Sequence, residues 1–520
     1  MFKQSTASRR SLIIICTVLF LTFLDNTVVS VVLSNIQSSL SAGVQDLQWI
    51  VNAYMLVFAV LMLTGGTLGD ILGRKKILLS GVALFTVGSA MAMLSNSIEM
   101  LIVSRVVMGV GAAASEPGTL SMIRHLYPDQ GKRSRALGAW AAVSGTALAF
   151  GPIIGGIIIG FSNWRGVFVF SAIFGTVAFI AGLLILPESS DPKGRKLDIT
   201  GLVLGGMALS EAIIAVISGE TAGYGTWWID LLIALSVFTG IAFIFIEHHK
   251  KDPVLPLEFF KKIQFSIANI VAFVTNFGIF AVFFFVALYL QLIANFTGYQ
   301  IALSFVAMAA AIVTGALVAG RWGAKHHSLK LTIVGCLLSG GGIFLINSLL
   351  TPSVSSATLA WALSISGIGF GISLVTMTSS ILNIVPPERS GMAASTVNSF
   401  REVGGVCGVA VLGAIVNARL STQLVSQLKS LNLPANFQSF IIYAITHGGN
   451  TPKGVSVSPA IIASHAKLVN QVTSAADHAF GSGLTVALNL AGIMLVATGA
   501  ACIMLYLWRK HDFHETQPTI

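Results

Sequence analysis

Fourteen long apolar stretches, separated by shorter polar segments, run along the chain. A membrane-spanning helix needs about 20 mostly apolar residues to cross roughly 30 Å of hydrocarbon. Each stretch is long enough, so the pattern predicts an all-α polytopic membrane protein. The predicted helices cover residues 11–35, 48–67, 77–95, 99–123, 136–160, 166–187, 199–218, 227–247, 265–293, 300–320, 331–350, 356–384, 394–418 and 479–508.

Positive charge is concentrated in every second connection between the predicted helices. The chain has 30 Lys and Arg, of which 23 fall at the termini or in those alternate connections. Five lie in the other connections, and Arg105 and Arg401 fall inside predicted helices. Cytoplasmic loops carry an excess of Lys and Arg. We therefore expect both termini in the cytoplasm, and the net charge of +10 does not indicate a nucleic-acid partner.

The two halves of the chain resemble each other weakly, which indicates an internal repeat. The echoes are Gly66-x-Leu68 with Gly315-x-Leu317, and Gly109-x-Gly111 with Gly367-x-Gly369. We predict a six-helix bundle at 1–190, two inserted helices and a linker at 191–260, and a second six-helix bundle at 261–520 with an outer loop at 419–478. Repeats of this kind are common in secondary transporters, whose site lies between the halves.

The connection after the second predicted helix carries the strongest local motif, Gly66–Lys75. Glycines permit a sharp turn between antiparallel helices, and the basic residues hold the inner face. The segment resembles the loop signature of the major facilitator superfamily, with Ile71 at a usually basic position. The resemblance implies a conformational latch formed by Gly66, Asp70, Gly73 and Arg74.

The fifth predicted helix combines proline with closely spaced glycines. Proline removes a backbone donor and bends a helix, and glycines allow close packing at the bend. The pattern is similar to the signature of antiporter members of the same superfamily, where the bend seals one side and disfavours proton leak; a generic kinked helix is the alternative. The residues are Gly151, Pro152, Gly155 and Gly156, and Ala147 stands where glycine is usual.

Three further stretches are similar to the fourteen-helix drug:proton antiporter group of this superfamily. They are Leu24–Val29, Trp49–Tyr54 and Arg401–Gly405. Ser30, Ser34 and Glu402 depart from the residues usual in the group. The resemblance covers nearly the whole chain and implies a major facilitator fold of two six-helix bundles plus two inserted helices.

Two charged residues deep in predicted helices are candidates for proton coupling. Asp25 lies about 21 Å along its helix from the inner face, and Arg105 about 9 Å from the outer face, at 1.5 Å per residue. The two can therefore share one layer, and a charge at that depth needs a partner or a cavity. Arg105 resembles the proton-coupling arginine of the superfamily. A static buried ion pair is the alternative.

Two more acids are candidates for proton or substrate binding. Glu116 could contact a cationic substrate or take a proton, or it could be a solvated residue at the cavity mouth. Glu402 could do the same, or it could simply pair with the adjacent Arg401. The Phe283–Phe285 run could bind aromatic rings, but packing or a lipid-facing position is the usual explanation for such a run.

Other classes of protein lack support in the sequence. There is no Walker-type ATP motif and no metal-ligand cluster, so we expect no metal, no cofactor and no enzyme activity, with the proton gradient as energy source. An intramembrane enzyme and a membrane sensor remain weaker alternatives. We expect a monomeric, lipid-embedded, proton-coupled antiporter that exports hydrophobic, cationic or amphipathic small molecules. Export of an endogenous metabolite or lipid-like compound, or proton-coupled symport, is the alternative.

Overall fold

The computed structural model describes residues 2–189, 198–250, 253, 255, 257–323, 328–385, 390–430 and 466–515, which are helical apart from short connections. The long helices are α1 (Phe2–Leu40), α2 (Val44–Leu72), α3 (Arg74–Met93), α4 (Ile98–Leu126), α5 (Gln130–Phe161), α6 (Arg165–Ile185), α7 (Ile199–Ala222), α8 (Trp227–His249), α9 (Ile263–Leu292), α10 (Gly298–Gly323), α11 (Ser328–Leu349), α12 (Ser356–Ile384), α13 (Ser390–Ser430) and α14 (Ala466–Glu515). The predicted all-α polytopic architecture is confirmed. Of the described segments, 13 are long and apolar enough to cross a membrane, and α5 contributes the shorter apolar stretch Phe150–Phe161.

Short polar side chains fix where several helices begin. Ser97 accepts a hydrogen bond from the Met100 amide at 3.2 Å, and Asp129 accepts one from the Lys132 amide at 2.9 Å. Such caps satisfy backbone donors that have no partner within the first turn. They define the starts of α4 and α5 and keep the preceding connections short.

Several helices are longer than their apolar stretches. The helix α1 extends on both sides of the predicted 11–35, α13 continues to Ser430, and α14 begins at Ala466. The predicted outer loop 419–478 is therefore helical at both ends, because backbone hydrogen bonding continues into polar flanks that hydropathy does not detect. The rest of that loop, including the apolar stretch 437–446, lies outside the described residues.

The connection between α2 and α3 is a single residue. Residues 68–72, which lie beyond the predicted helix 48–67, continue α2, and Gly73 turns the chain with φ of 111°. An L side chain rarely adopts this conformation, whereas glycine does so without a steric penalty. The motif therefore encodes a helix end and one glycine hinge rather than an extended loop.

The helices form two six-helix bundles with the same internal packing. In the first, α1 packs on α4, α5 and α6, and in the second, α9 packs on α12, α13 and α14. The glycine echoes occupy matching contacts: Gly109 faces α2 and Gly367 faces α10, while Gly111 faces α3 and Gly369 faces α11. The sequence echo thus reflects a repeated pattern of helix packing, in which small residues let backbones approach closely.

The bundles meet along two seams related by the repeat, α5 with α10 and α2 with α13. The inserted hairpin α7–α8 contacts both bundles at the second seam, where α7 packs on α2 and α13. A hydrogen bond from the Thr239 hydroxyl of α8 to the Glu211 carboxylate of α7, at 2.9 Å, joins the two helices of the hairpin. Most of α8 faces outward with apolar side chains such as Phe238 and Ile241.

Candidate functional site

Five buried charged side chains gather where the first bundle meets α13. We call them the central charge cluster: Asp25 on α1, Arg105 and Glu116 on α4, and Arg401 and Glu402 on α13. Among the described residues, only two other charged side chains are buried, Asp198 and Glu247 near the open end of the inserted hairpin. Burial of charge is costly unless it is paired or used. This concentration therefore marks the candidate site.

Asp25 and Arg105 form an ion pair between α1 and α4. Arg105 also donates from Nε to the Ile50 carbonyl at 3.0 Å, and its guanidinium carbon lies 4.4 Å from the centre of the Tyr54 ring. The prediction that the two charges share one layer is confirmed. The second carboxylate oxygen of Asp25 has no hydrogen-bond partner among the described residues.

Tyr54 links the parts of the cluster, and sequence reasoning did not single it out. Its hydroxyl donates to the Thr22 carbonyl on α1 at 3.0 Å. It interacts electrostatically with both members of the Asp25–Arg105 pair and with Glu116 and Glu402. The available signal was its place at the end of the Trp49–Tyr54 stretch, next to the buried polar residues Gln48 and Asn52 of the same helix.

Glu116 is fully buried, at 0% exposure, and neither of its carboxylate oxygens has a hydrogen-bond partner among the described residues. It interacts electrostatically with Arg401 and Glu402 on α13. The alternative of a solvated residue at a cavity mouth does not fit this burial. An unpaired buried carboxylate is costly, so the position favours a proton or a cation.

Arg401 and Glu402 form the predicted pair, with Nη2 3.2 Å from Oε1. Both are buried, so the pair does not lie at a solvated helix end. The Arg401 guanidinium carbon also lies 4.7 Å from the centre of the Phe23 ring on α1. This contact between the halves was not predicted, because sequence spacing gives no register between helices so distant in the chain.

The glycines of α5 lie at close approaches within and between the bundles. A Cβ on Gly151 would lie 2.0 Å from Thr27 Oγ1 of α1, and one on Gly156 would lie 2.5 Å from the Gly298 carbonyl of α10. A Cβ on Gly155 would lie 3.0 Å from the Val28 carbonyl oxygen, and Pro152 is buried inside the continuous helix. The motif residues therefore pack α5 against its own bundle and against the other one.

The α2–α3 connection is tied to the end of α6. The Arg74 amide donates to the Ser189 carbonyl at 2.8 Å, and the Lys75 amide donates to Glu188 Oε1 at 3.1 Å. Sequence reasoning missed Glu188, which follows α6 without a recognisable motif. Gly66 lies within α2, and the side chain of Asp70 lies outside what the structure describes.

The Phe283–Phe285 run lies in a π-helical turn, Ala281–Val286, within α9. All three rings are buried, so the lipid-facing alternative is wrong. Phe283 packs against Phe305 of α10 with 5.2 Å between ring centres. The run therefore forms part of the packed interior of the second bundle.

Comparisons with known proteins place the chain in a family. Residues 15–409 match the family described as the Major Facilitator Superfamily. The methylenomycin A resistance protein of Bacillus subtilis is 31% identical over 417 residues, covering 80% of this chain and 89% of that protein. The tetracenomycin C resistance and export protein of Streptomyces glaucescens is 30% identical over 503 residues, covering 95% and 90%. The multidrug resistance protein Stp of Mycobacterium tuberculosis is 29% identical over 504 residues, covering 95% and 91%.

Solved structures share the fold at low sequence identity. A bacterial homologue of the human lysosomal transporter Spinster, in an inward-facing and occupied conformation, has a TM-score of 0.66 and 16% identity, covering 95% of each chain. Tetrameric PepTSo2 has a TM-score of 0.58 and 13% identity, covering 97% of this chain and 99% of that one. With the two repeated bundles and the long family match, these findings identify the chain as a member of the Major Facilitator Superfamily, a multi-pass membrane transporter rather than an enzyme.

Proposed function

We propose that the protein is a proton-coupled antiporter that exports hydrophobic, cationic or amphipathic small molecules by alternating access. The observation that carries the proposal is the central charge cluster: carboxylates with unpartnered oxygens, buried where the two bundles meet. The names of the relatives support the direction of transport, since they include resistance and export proteins. The second candidate substrate is an endogenous metabolite or lipid-like compound, and one relative is named as an export protein for cephamycin.

The orientation follows from charge. With the Lys- and Arg-rich connections in the cytoplasm, both termini are cytoplasmic, and the membrane is the plasma (bacterial inner) membrane. The Gly156–Gly298 approach then lies on the outward side, because α5 ends and α10 begins there. In this orientation the described state is closed toward the outside.

Asp25 is the proposed proton carrier. Its partner Arg105, on α4, is held against α2 by the Ile50 carbonyl and the Tyr54 ring. A proton on the carboxylate removes the charge that binds α1 to this guanidinium, so protonation loosens the contact between α1 and the α2–α4 pair. Loading from one side and release to the other would couple proton flow to the exchange of conformations.

Glu116 and Glu402 are the proposed cation-binding groups, and the remaining motif residues have mechanical roles. The Gly151–Gly156 segment of α5 seals the outward side when the bundles close. Gly66, Asp70, Gly73 and Arg74 act as the latch on the cytoplasmic side. No metal or organic cofactor takes part in this scheme, and the proton gradient supplies the energy.

The test is transport by purified protein in liposomes with an acidic lumen. An antiporter accumulates ethidium in the lumen while protons leave, and the accumulation stops when nigericin collapses the pH gradient. A symporter gives no accumulation under this gradient, and ethidium accumulation no greater than in protein-free liposomes would overturn the proposal. A panel of hydrophobic metabolites in the same assay distinguishes the second candidate substrate.

A further inference from the structure

We propose that the central charge cluster is short of one positive charge, that it therefore accepts one monovalent cation or one proton, and that Arg401 sets this limit. The inference rests on the proposed function and deepens it by naming the charge of the substrate. The cluster has three carboxylates, Asp25, Glu116 and Glu402, and two guanidinium groups, Arg105 and Arg401. With every group ionised, its net charge is one negative.

The five side chains act as one electrostatic unit. Arg105 pairs with Asp25, and Arg401 pairs with Glu402. Glu116 interacts with both members of the second pair. The Tyr54 ring lies 4.4 Å from the Arg105 guanidinium carbon, and Tyr54 is within electrostatic range of all three acids. In a low-dielectric interior such interactions are weakly screened, and the sum of the charges decides what can bind.

The unpartnered oxygens show where the missing charge belongs. Glu116 has two carboxylate oxygens without a partner, and Glu402 and Asp25 have one each, among the described residues. Both arginines already have a carboxylate partner. The unpartnered hydrogen-bond acceptors of the cluster therefore belong to the acids, and most of them belong to Glu116. A bound cation or a proton would satisfy these carboxylate oxygens.

Arg401 belongs to the second bundle and also contacts the first. It is the one member of the cluster that fills, from the second bundle, a position that a bound cation could occupy. It pairs with Glu402 on its own helix and lies over the Phe23 ring of α1. A guanidinium on an aromatic face beside a carboxylate has the contacts that an aromatic-site cation would make. Arg401 thus fills one cation position from within the protein, which leaves one for the substrate.

The test compares two dyes that share a phenanthridinium ring, monocationic ethidium and dicationic propidium. Binding to the full-length protein in detergent is followed by fluorescence anisotropy at a pH where the acids are ionised. The wild type is expected to prefer ethidium, and R401Q is expected to bind propidium at least about tenfold more tightly than the wild type. E402Q makes the cluster neutral and is expected to bind ethidium at least about tenfold more weakly.

The double variant R401Q/E402Q restores a net charge of one negative and must regain the preference for ethidium. R401K keeps the charge and must keep the wild-type preference. If R401Q folds and gains nothing for propidium, or if the double variant behaves like R401Q, the charge count is wrong. Should R401Q fail to fold, E402Q and the double variant still decide the question. Ethidium binding with this pattern but without transport in liposomes would overturn the proposed function and leave the charge count standing.

Discussion

The two bundles share their packing but differ in their chemistry. In the first, α1 and α4 carry Asp25, Arg105 and Glu116 in the interior. The corresponding helices of the second, α9 and α12, contain no charged residue at all. Instead, α9 fills the interior with phenylalanine, and the only buried charges described in the second bundle are the Arg401–Glu402 pair on α13.

The packing of α5 and α13 shows what the halves have in common. Gly151 and Gly155 place α5 against the α1 backbone, and Gly404 and Gly408 place α13 against the α9 backbone with the same spacing of four residues. Small residues at these positions preserve the frame of both bundles. The helix packing is repeated in both bundles, but the buried charged residues are not. The first bundle therefore supplies most of the site, and the second covers it.

The largest effect is expected from removing the acid of the first bundle. Asp25→Asn keeps an oxygen that can accept from Arg105 but cannot carry a proton, so proton-driven ethidium efflux should fall to background while protein abundance stays unchanged. Efflux is measured in energised membrane vesicles, with the same vesicles treated with an uncoupler as control. Efflux equal to the wild type would exclude Asp25 as the proton carrier.

The aromatic interior of the second bundle should matter for stability rather than for binding. Phe283→Ala leaves a cavity against Phe305 and should cost about 3 kcal/mol of stability, seen as a lower thermal unfolding temperature in detergent. Ethidium affinity below the transition should remain within about threefold of the wild type. Lost affinity at an unchanged unfolding temperature would assign the ring to the substrate site instead.

Substituting equivalent glycines of the two bundles should lower the stability of the protein by similar amounts. Gly151→Ala and Gly404→Ala each force a Cβ to within about 2 Å of an oxygen, from Thr27 and Phe273 respectively, and each should destabilise the protein by about 1–3 kcal/mol. Gly160→Ala and Gly320→Ala are matched controls, because nothing lies within 4 Å of the added Cβ. Unequal losses in the two bundles, or losses as large in the controls, would show that the frames are not equivalent.

The smallest effect is expected in the inserted hairpin, which is not part of either six-helix bundle. Burial alone would raise the pKa of Asp198, but hydrogen bonds from Lys250 and from the Gly201 amide outweigh it and hold the pKa below its ordinary value. A lowered folded-state pKa stabilises the protein above the ordinary value of about 3.9, and this contribution is lost as pH falls through the folded-state pKa.

Asp198→Asn keeps a helix-capping side chain and removes only the charge. It should lower the free energy of unfolding by about 1 kcal/mol at neutral pH, and the difference from the wild type should shrink below about pH 4. Thermal unfolding across this pH range measures both. A difference that is constant with pH would mean that the Asp198 charge contributes nothing.

Sequence patterns predicted the number and order of the long helices and the pairing of Asp25 with Arg105, because hydropathy and helical rise fix depth. They misjudged the ends of α2, α13 and α14, where backbone hydrogen bonds continue beyond the apolar stretch. They also missed the roles of Tyr54 and Glu188 and the contact of Arg401 with Phe23. Those contacts depend on helix rotation and on packing between distant segments, which local spacing does not specify.

The most direct test is the number of protons released when a cation binds. Purified wild-type protein in weakly buffered detergent solution is mixed with ethidium while a pH indicator reports free protons. Because the site holds either one proton or one monovalent cation, about one proton should appear per ethidium bound at a pH where the free site is protonated, and about half a proton where it is half protonated. Ethidium binding without proton release at every pH of this titration would contradict the exchange on which the account depends.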